Sequence, residues 1–217
     1  MIPTRNVLGR VPPWLWLALL LTLWLAGLGL APLIDVDEGA FSEASREMLA
    51  SGDWGHTTLN GADRFDKPIL IYWFQAASMA LFGVNEFAVR LPSAIAALMW
   101  CLAALRFAEG WLGSQVERAA VGIVATSLGV MLIGRAATAD ALLNALMCWA
   151  CLDLWRHLDS REKAPLRRAF FWMGLGLLTK GPVACLVPGM AVILYLLSCG
   201  QLRRLRDIFP DHQLGLA

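Results

Sequence analysis

From Trp14 to Ile34 the chain runs without a single charged side chain, and Gly181 to Leu202 is a second such run. At about 1.5 Å per helical residue each can cross a hydrocarbon core about 30 Å thick. A fold carrying two such segments must satisfy its backbone inside a bilayer, which leaves helices as the natural solution. Shorter apolar stretches lie between them, Leu91–Leu105, Ala119–Gly134, Ala141–Trp155 and Ala169–Thr179, each bounded by charge. Snorkelling Arg and interfacial Trp suit the ends of such helices. The expected architecture is an all-α integral membrane protein, a multi-spanning module with spans at about 13–34, 88–109, 118–134, 140–157, 167–179 and 181–202. A secretory signal has a shorter apolar core, about 7–15 residues, so the first run reads as an uncleaved anchor.

Composition narrows the function classes. With 58% hydrophobic and 16% charged residues the 217-residue chain is neither a soluble single domain nor disordered. Lys and Arg number 18 against 17 Asp and Glu, so nothing suggests a nucleic-acid partner. Cys101, Cys148, Cys151, Cys185 and Cys199 all fall in apolar stretches, which argues against a disulfide framework. Cys148 and Cys151 form C-x-x-C inside Ala/Leu/Trp surroundings, with no second pair to make a redox or metal motif.

Positive charge sets the expected orientation. Arg5 and Arg10 precede the first span, and Arg106 with Arg118, Arg156 through Arg168, and Arg203, Arg204 and Arg206 fall in alternate later connections. The positive-inside rule puts these, and the N-terminus, on the cytoplasmic side. That parity requires Ile69–Val84 not to cross, so it reads as a helix in the outer interface. Residues 35–89 then form one long outward segment.

That segment holds the polar chemistry. Asp35, Asp37, Glu38, Glu43, Glu47, Asp53, Asp63 and Asp66 stand against Arg46, Arg64 and Lys67. A solvated loop accounts for most of these carboxylates. Ala40, Phe41, Ala44 and Met48 share one face of a short amphipathic helix, with Glu43, Arg46 and Glu47 largely on the other. Asp35 or Asp37 can cap that helix, with Glu38 in its first turn. Capping needs one acid, and a cluster of three at a membrane interface can also hold a proton acceptor or a divalent cation. Lys67 precedes Pro68, a residue suited to a helix start, so a cation meets free backbone N–H groups in a corner fit for phosphate. Interfacial snorkelling explains Lys67 equally well. Later outward turns add Arg135 with Asp140, and Lys180 at a Gly-Pro break, where ionisable groups at membrane depth face a cavity or a partner. Acids, phosphate-seeking bases and interrupted helices on one face suggest a membrane-embedded site for a phosphorylated lipid.

The motifs D-E-G-A-F-S-E-A-S-R-E-M-L-A-S-G-D-W, F-D-K-P-I-L-I-Y-W, L-F-G-V-N-E-F-A-V-R-L-P-S, G-R-A-A-T-A-D and L-L-T-K-G-P occur in that order, between about Leu30 and Gly189. The set resembles the polyprenyl-phosphate-sugar-dependent glycosyltransferases of the C-type membrane fold, above all the aminoarabinose (lipid A) transferases and the protein mannosyltransferase-like proteins. The resemblance implies an outward first loop with two juxtamembrane helices. It implies catalytic roles for Asp37, its neighbour Glu38 and Asp140. Lys67 matches the base that meets the lipid-linked phosphate, Asp66 the acid linked in some relatives to a divalent cation, and Arg46, Arg135 and Lys180 supporting positive charges. The implied activity is transfer of a sugar from a polyprenyl-phosphate donor to lipid A, another glycolipid or a protein at the outer face of the cytoplasmic membrane. Relatives of this kind continue for several more spans, so the chain reads as the N-terminal portion of such an enzyme. A lipid or lipid-linked-sugar transporter, and a truncated scaffold without turnover, are the alternatives. No convincing internal repeat supports the transporter.

Overall fold

A computed structural model of the chain describes residues 12–34, 36–109 and 113–208. Arg5, Arg10 and the capping candidate Asp35 lie outside these residues. The described chain is helical almost throughout. α1 is Pro13–Leu25, α2 Val36–Ser51, α3 Leu70–Phe82, α4 Glu86–Ala108, α5 Gly113–Thr126, α6 Leu128–Gly134, α7 Asp140–Ser160, α8 Lys163–Lys180 and α9 Val183–Ser198. A 3-10 helix, Leu202–Asp207, follows α9. Two-residue strands β1 (Thr58–Leu59) and β2 (Ala62–Asp63) make the one small hairpin among the described residues. α4 is long and apolar enough to cross a bilayer, and α5 with α6 passes the same test as a pair bent by 60°. Leu186 and Leu194 on α9, Ile123 on α5 and Leu132 on α6 are exposed. An apolar surface of this extent is what lipid contact requires.

The first apolar run is helical only as far as Leu25, well short of Ile34. Ala26 turns extended, Gly27 takes φ +70°, and the Arg135 guanidinium donates to the carbonyls of Leu23 (2.8 Å) and Ala26 (2.8 Å). The last turn of α1 thus finds its hydrogen-bond donors in a side chain from another part of the protein. The stretch expected as one span at 118–134 is broken at Ser127, whose ψ of 135° ends one helix while its carbonyl starts the next.

The largest core cluster joins the loop helices to the spans. Phe41, Ala44 and Met48 of α2 pack on Ile71, Tyr72 and Ala76 of α3 and on Ala141, Leu142, Ala145 and Leu146 of α7. Burying this face accounts for an amphipathic α2 that would be marginal alone. The 13-residue α3 has one buried side and exposes Phe74, Leu81 and Phe82 on the other.

Beneath this packing lies a polar frame centred on the segment before α7. Glu38 accepts from the backbone N–H groups of Ala137 (2.7 Å) and Ile34 (3.1 Å). It also takes both Nε and Nη2 of Arg90, each at 2.9 Å. Arg90 donates further to the carbonyls of Leu28, Ala31 and Pro32. Gln75, fully buried, accepts from Ser45 Oγ at 2.8 Å and donates to the carbonyls of Val89 and Ala137. Ser93 Oγ donates to the Thr138 carbonyl. The bonds to Ile34, Leu28, Ala31 and Pro32 hold the backbone leading into α2, and those to Ala137 and Thr138 hold the backbone leading into α7. Satisfied buried networks of this kind rigidify what they hold.

Candidate phosphate site

The charged residues of the first loop reach their positions through the hairpin. Asn60 (φ 54°) and Gly61 (φ 75°) form its turn, the left-handed pair that a two-residue hairpin favours. The Glu47 carboxylate accepts from the Thr58 hydroxyl and from Gly61 N–H, pinning the hairpin to α2. Arg64 N–H donates to the Thr57 carbonyl at 2.8 Å, while the Thr57 hydroxyl donates to the Arg64 carbonyl. The chain therefore leaves the hairpin in a fixed direction and presents Arg64, Asp66 and Lys67 in succession. Pro68 and Ile69 precede α3, whose first residue is Leu70, so Pro68 sits just before the helix and not at its first position.

These residues line a cavity of about 480 Å³, with His56 and Thr57 on one wall and Lys180 and Gly181 on another. Lys67 Nζ donates to Asp66 Oδ1 at 2.9 Å, and Arg64 Nη2 donates to Asp66 Oδ2 at 3.1 Å. The hydrogen bond from Lys67 holds the Asp66 carboxyl below the usual carboxylate range, and the charges of Lys67, Arg64 and Lys180 add to this. Lys180 ends α8 and Asp140 begins α7, and the two side chains form an ion pair. Each stands at the helix end whose dipole favours its charge. Among the residues that line the cavity, Arg64, Lys67 and Lys180 outnumber the one carboxylate, Asp66, which is the sign an anion site needs.

Asp37 lies exposed in the first turn of α2. Its neighbour Glu38 is bonded to Ala137, three residues before Asp140, so both acids flank one anchored junction.

Two expected roles change. Glu38 was expected beside Asp37 as a catalytic acid, yet it is 5% exposed and engaged by Arg90, Ala137 and Ile34. Burial by itself would raise its pKa, but the hydrogen bonds from Arg90 and from the two backbone N–H groups win, and its charge is stabilised. Glu38 fastens α2. Arg135 was expected to bind substrate, and it caps α1 instead. Arg46 pairs with Glu43 on the exposed side of α2 and does not line the cavity.

Asp66 was the expected ligand of a divalent cation. Its two oxygens already meet two cations, and among the described residues no three His, Cys, Asp or Glu side chains are grouped to hold a metal. Sequence reasoning gave no role to Arg64, although its place three residues before Lys67 was a signal. Arg90 carried a signal as well, since a cation inside an apolar helix is itself a mark of a buried partner.

A second cavity of about 510 Å³ lies between α4, α7 and α9, lined by residues such as Trp100, Phe107, Met147, Cys148, Trp155 and Tyr195. It contains none of the charged cluster. Cys148 and Cys151 are free thiols one helical turn apart on its wall.

A family model described as dolichyl-phosphate-mannose-protein mannosyltransferase matches residues 66–216. The chain belongs to this family. It is 31% identical over 209 residues to the undecaprenyl phosphate-alpha-4-amino-4-deoxy-L-arabinose arabinosyl transferase of Aeromonas salmonicida (strain A449), covering 93% of this chain and 38% of that protein. An enzyme of the same name, numbered 1, from Sodalis glossinidius (strain morsitans) is 32% identical over 174 residues, covering 77% and 31%. Among solved structures, ArnT from Cupriavidus metallidurans bound to undecaprenyl phosphate matches with a TM-score of 0.79 at 26% identity, over 90% of this chain and 37% of that one. The apo form gives 0.77 at 28%. The chain thus spans between three- and four-tenths of the length of these relatives, and has the all-α membrane fold of the corresponding part of ArnT.

Proposed function

We propose that this chain carries the donor-phosphate site of a membrane glycosyltransferase that moves a sugar from a polyprenyl phosphate to a lipid A, other glycolipid or protein acceptor. The observation that carries the reading is the cavity where Lys67 and Lys180 converge with the Asp140 pair at the ends of α7 and α8. The likeness to arabinosyl transferases that use undecaprenyl phosphate, and to a structure containing that lipid, supports the same chemistry.

In this reading the acceptor oxygen attacks the anomeric carbon while the bond to the lipid phosphate breaks. Negative charge develops on the leaving phosphate, and Lys67, held at the cavity wall beside Asp66, stabilises it. Lys180, tethered by Asp140, adds to that field. Asp37 orients the acceptor and takes its proton when the nucleophile is a hydroxyl. An acceptor phosphate is already nucleophilic, and Asp37 then serves only to position it. Asp140 fixes Lys180 and borders the acceptor side. The N-terminus lies in the cytoplasm, residues 35–89 form the catalytic loop on the outer face, and α3 lies along that interface, as the distribution of Arg and Lys supports.

The test is consumption of a radiolabelled undecaprenyl-phosphate sugar by membranes containing the chain, against membranes lacking it. Label is expected to move to an endogenous glycolipid or protein. Binding of the donor without any transfer would favour the alternative of a lipid-linked-sugar binding protein.

A further inference from the structure

Arg64 has no part in the mechanism above, yet its side chain is built for anion binding. It is only 14% exposed and lines the same cavity as Lys67 and Lys180. Three contacts fix its guanidinium. The Phe41 ring lies 5.9 Å below it, Nε donates to Tyr72 Oη at 3.3 Å, and Nη2 donates to Asp66 Oδ2 at 3.1 Å. Two of its three nitrogens are thereby used. Nη1 donates to nothing among the described residues.

Asp66 shows what the arrangement accepts. One of its oxygens takes Arg64 and the other takes Lys67, so a single carboxylate bridges both cations. The two cations therefore already stand at a spacing that suits two oxygens on one central atom, the geometry that a phosphate also offers. A guanidinium is suited to such a group because its planar fork gives several donors in fixed directions. Tyr72 and Phe41 belong to the core that joins α2 to α3, so the fork is oriented by the fold before any ligand arrives.

We propose that Arg64 is a phosphate-binding residue of this cavity, acting with Lys67 on the phosphate of a lipid, with Tyr72 and Phe41 as its positioning residues. The proposal rests on the donor-phosphate reading above and adds a specific second cation to it. Binding of the lipid phosphate is expected to use the free Nη1 and to compete with Asp66 for Nη2 and for Lys67.

The experiment measures affinity of the whole chain in lipid nanodiscs for undecaprenyl phosphate, undecaprenol and inorganic phosphate. The wild type is expected to prefer undecaprenyl phosphate to undecaprenol, and to bind inorganic phosphate more weakly than the lipid phosphate. Arg64→Ala is expected to cut the preference for phosphate over alcohol about tenfold, the usual scale for one charge-assisted hydrogen bond, with undecaprenol affinity unchanged. Arg64→Gln keeps a donor for Tyr72 or Asp66 without the charge, and serves if the Ala variant unfolds. It is expected to melt near the wild type and to lose the same preference. Tyr72→Phe is expected to give a smaller loss in the same direction. Should Lys67→Ala abolish the preference while both Arg64 variants keep it, Arg64 is a packing residue and the donor-phosphate reading stands. A wild type that does not distinguish undecaprenyl phosphate from undecaprenol would overturn both. Inorganic phosphate bound as tightly as the lipid phosphate would overturn the lipid as its ligand.

Discussion

Glu38 of α2 and Arg90 of α4, 52 residues apart in sequence, meet in a buried two-point ion pair with both N···O distances at 2.9 Å. This pair, with the Ala137 N–H that Glu38 also accepts, sets where the first loop sits on the membrane helices. Removing one member strands the other charge in the interior, an effect of about 3–5 kcal/mol. Glu38→Gln is therefore expected to lower the melting temperature in detergent clearly. Arg90→Met is expected to be worse, because it also leaves the carbonyls of Leu28, Ala31 and Pro32 without their donor. Fluorescence-detected size exclusion after heating measures both.

The same pair makes stability depend on acid. The folded-state pKa of Glu38 lies below its ordinary value, so its contribution is complete above the normal glutamate range and is lost as the pH falls through the folded value. The melting temperature of the wild type is expected to hold down to about pH 5 and then to fall, with the loss continuing below about pH 4, and to fall more gently in Glu38→Gln. Parallel curves for the two proteins would show that other groups control acid unfolding.

Gly134 closes α6 where α1 and α4 cross it. A Cβ there would come within 2.4 Å of the Trp24 ring and 2.6 Å of Ala97 Cβ. Gly134→Ala is expected to destabilise by about 1–3 kcal/mol, the common range for overpacking a filled core. Gly129→Ala on the same helix has open space at its Cβ and is expected to leave the melting temperature unchanged.

The sidedness has its own test. In a background with the five cysteines replaced, Asn60→Cys at the hairpin tip is expected to react with a membrane-impermeant maleimide added to intact spheroplasts. Arg161→Cys, between α7 and α8, is expected to react only after the membrane is opened. The reverse pattern would invert the topology.

The sequence reveals what depends on local pattern. The buried face of α2 was visible in the spacing of Phe41, Ala44 and Met48, and Lys67 in its motif with Pro68. What it hides depends on partners far along the chain. The end of α1 at Leu25 needs the Arg135 side chain, more than a hundred residues away, and no property of the Trp14–Ile34 run announces that donor. Glu38 and Asp37 look alike in a string of acids, and only the placement of Arg90 and Ala137 separates the buried anchor from the exposed acid. The Asn60–Gly61 turn is the reverse case. Its Asn-Gly pair is a local hairpin signal that went unread in the sequence, and the turn is what aims Arg64 and Lys67.

The most direct measurement of the central claim is the rate of sugar transfer from a radiolabelled undecaprenyl-phosphate donor by membranes bearing the wild type, Lys67→Ala or Asp37→Asn at matched expression. Both variants are expected to insert normally and to lose about a hundredfold or more in rate, the scale for removing one group that stabilises developing charge or places the nucleophile. Wild-type rates in both variants would contradict the account.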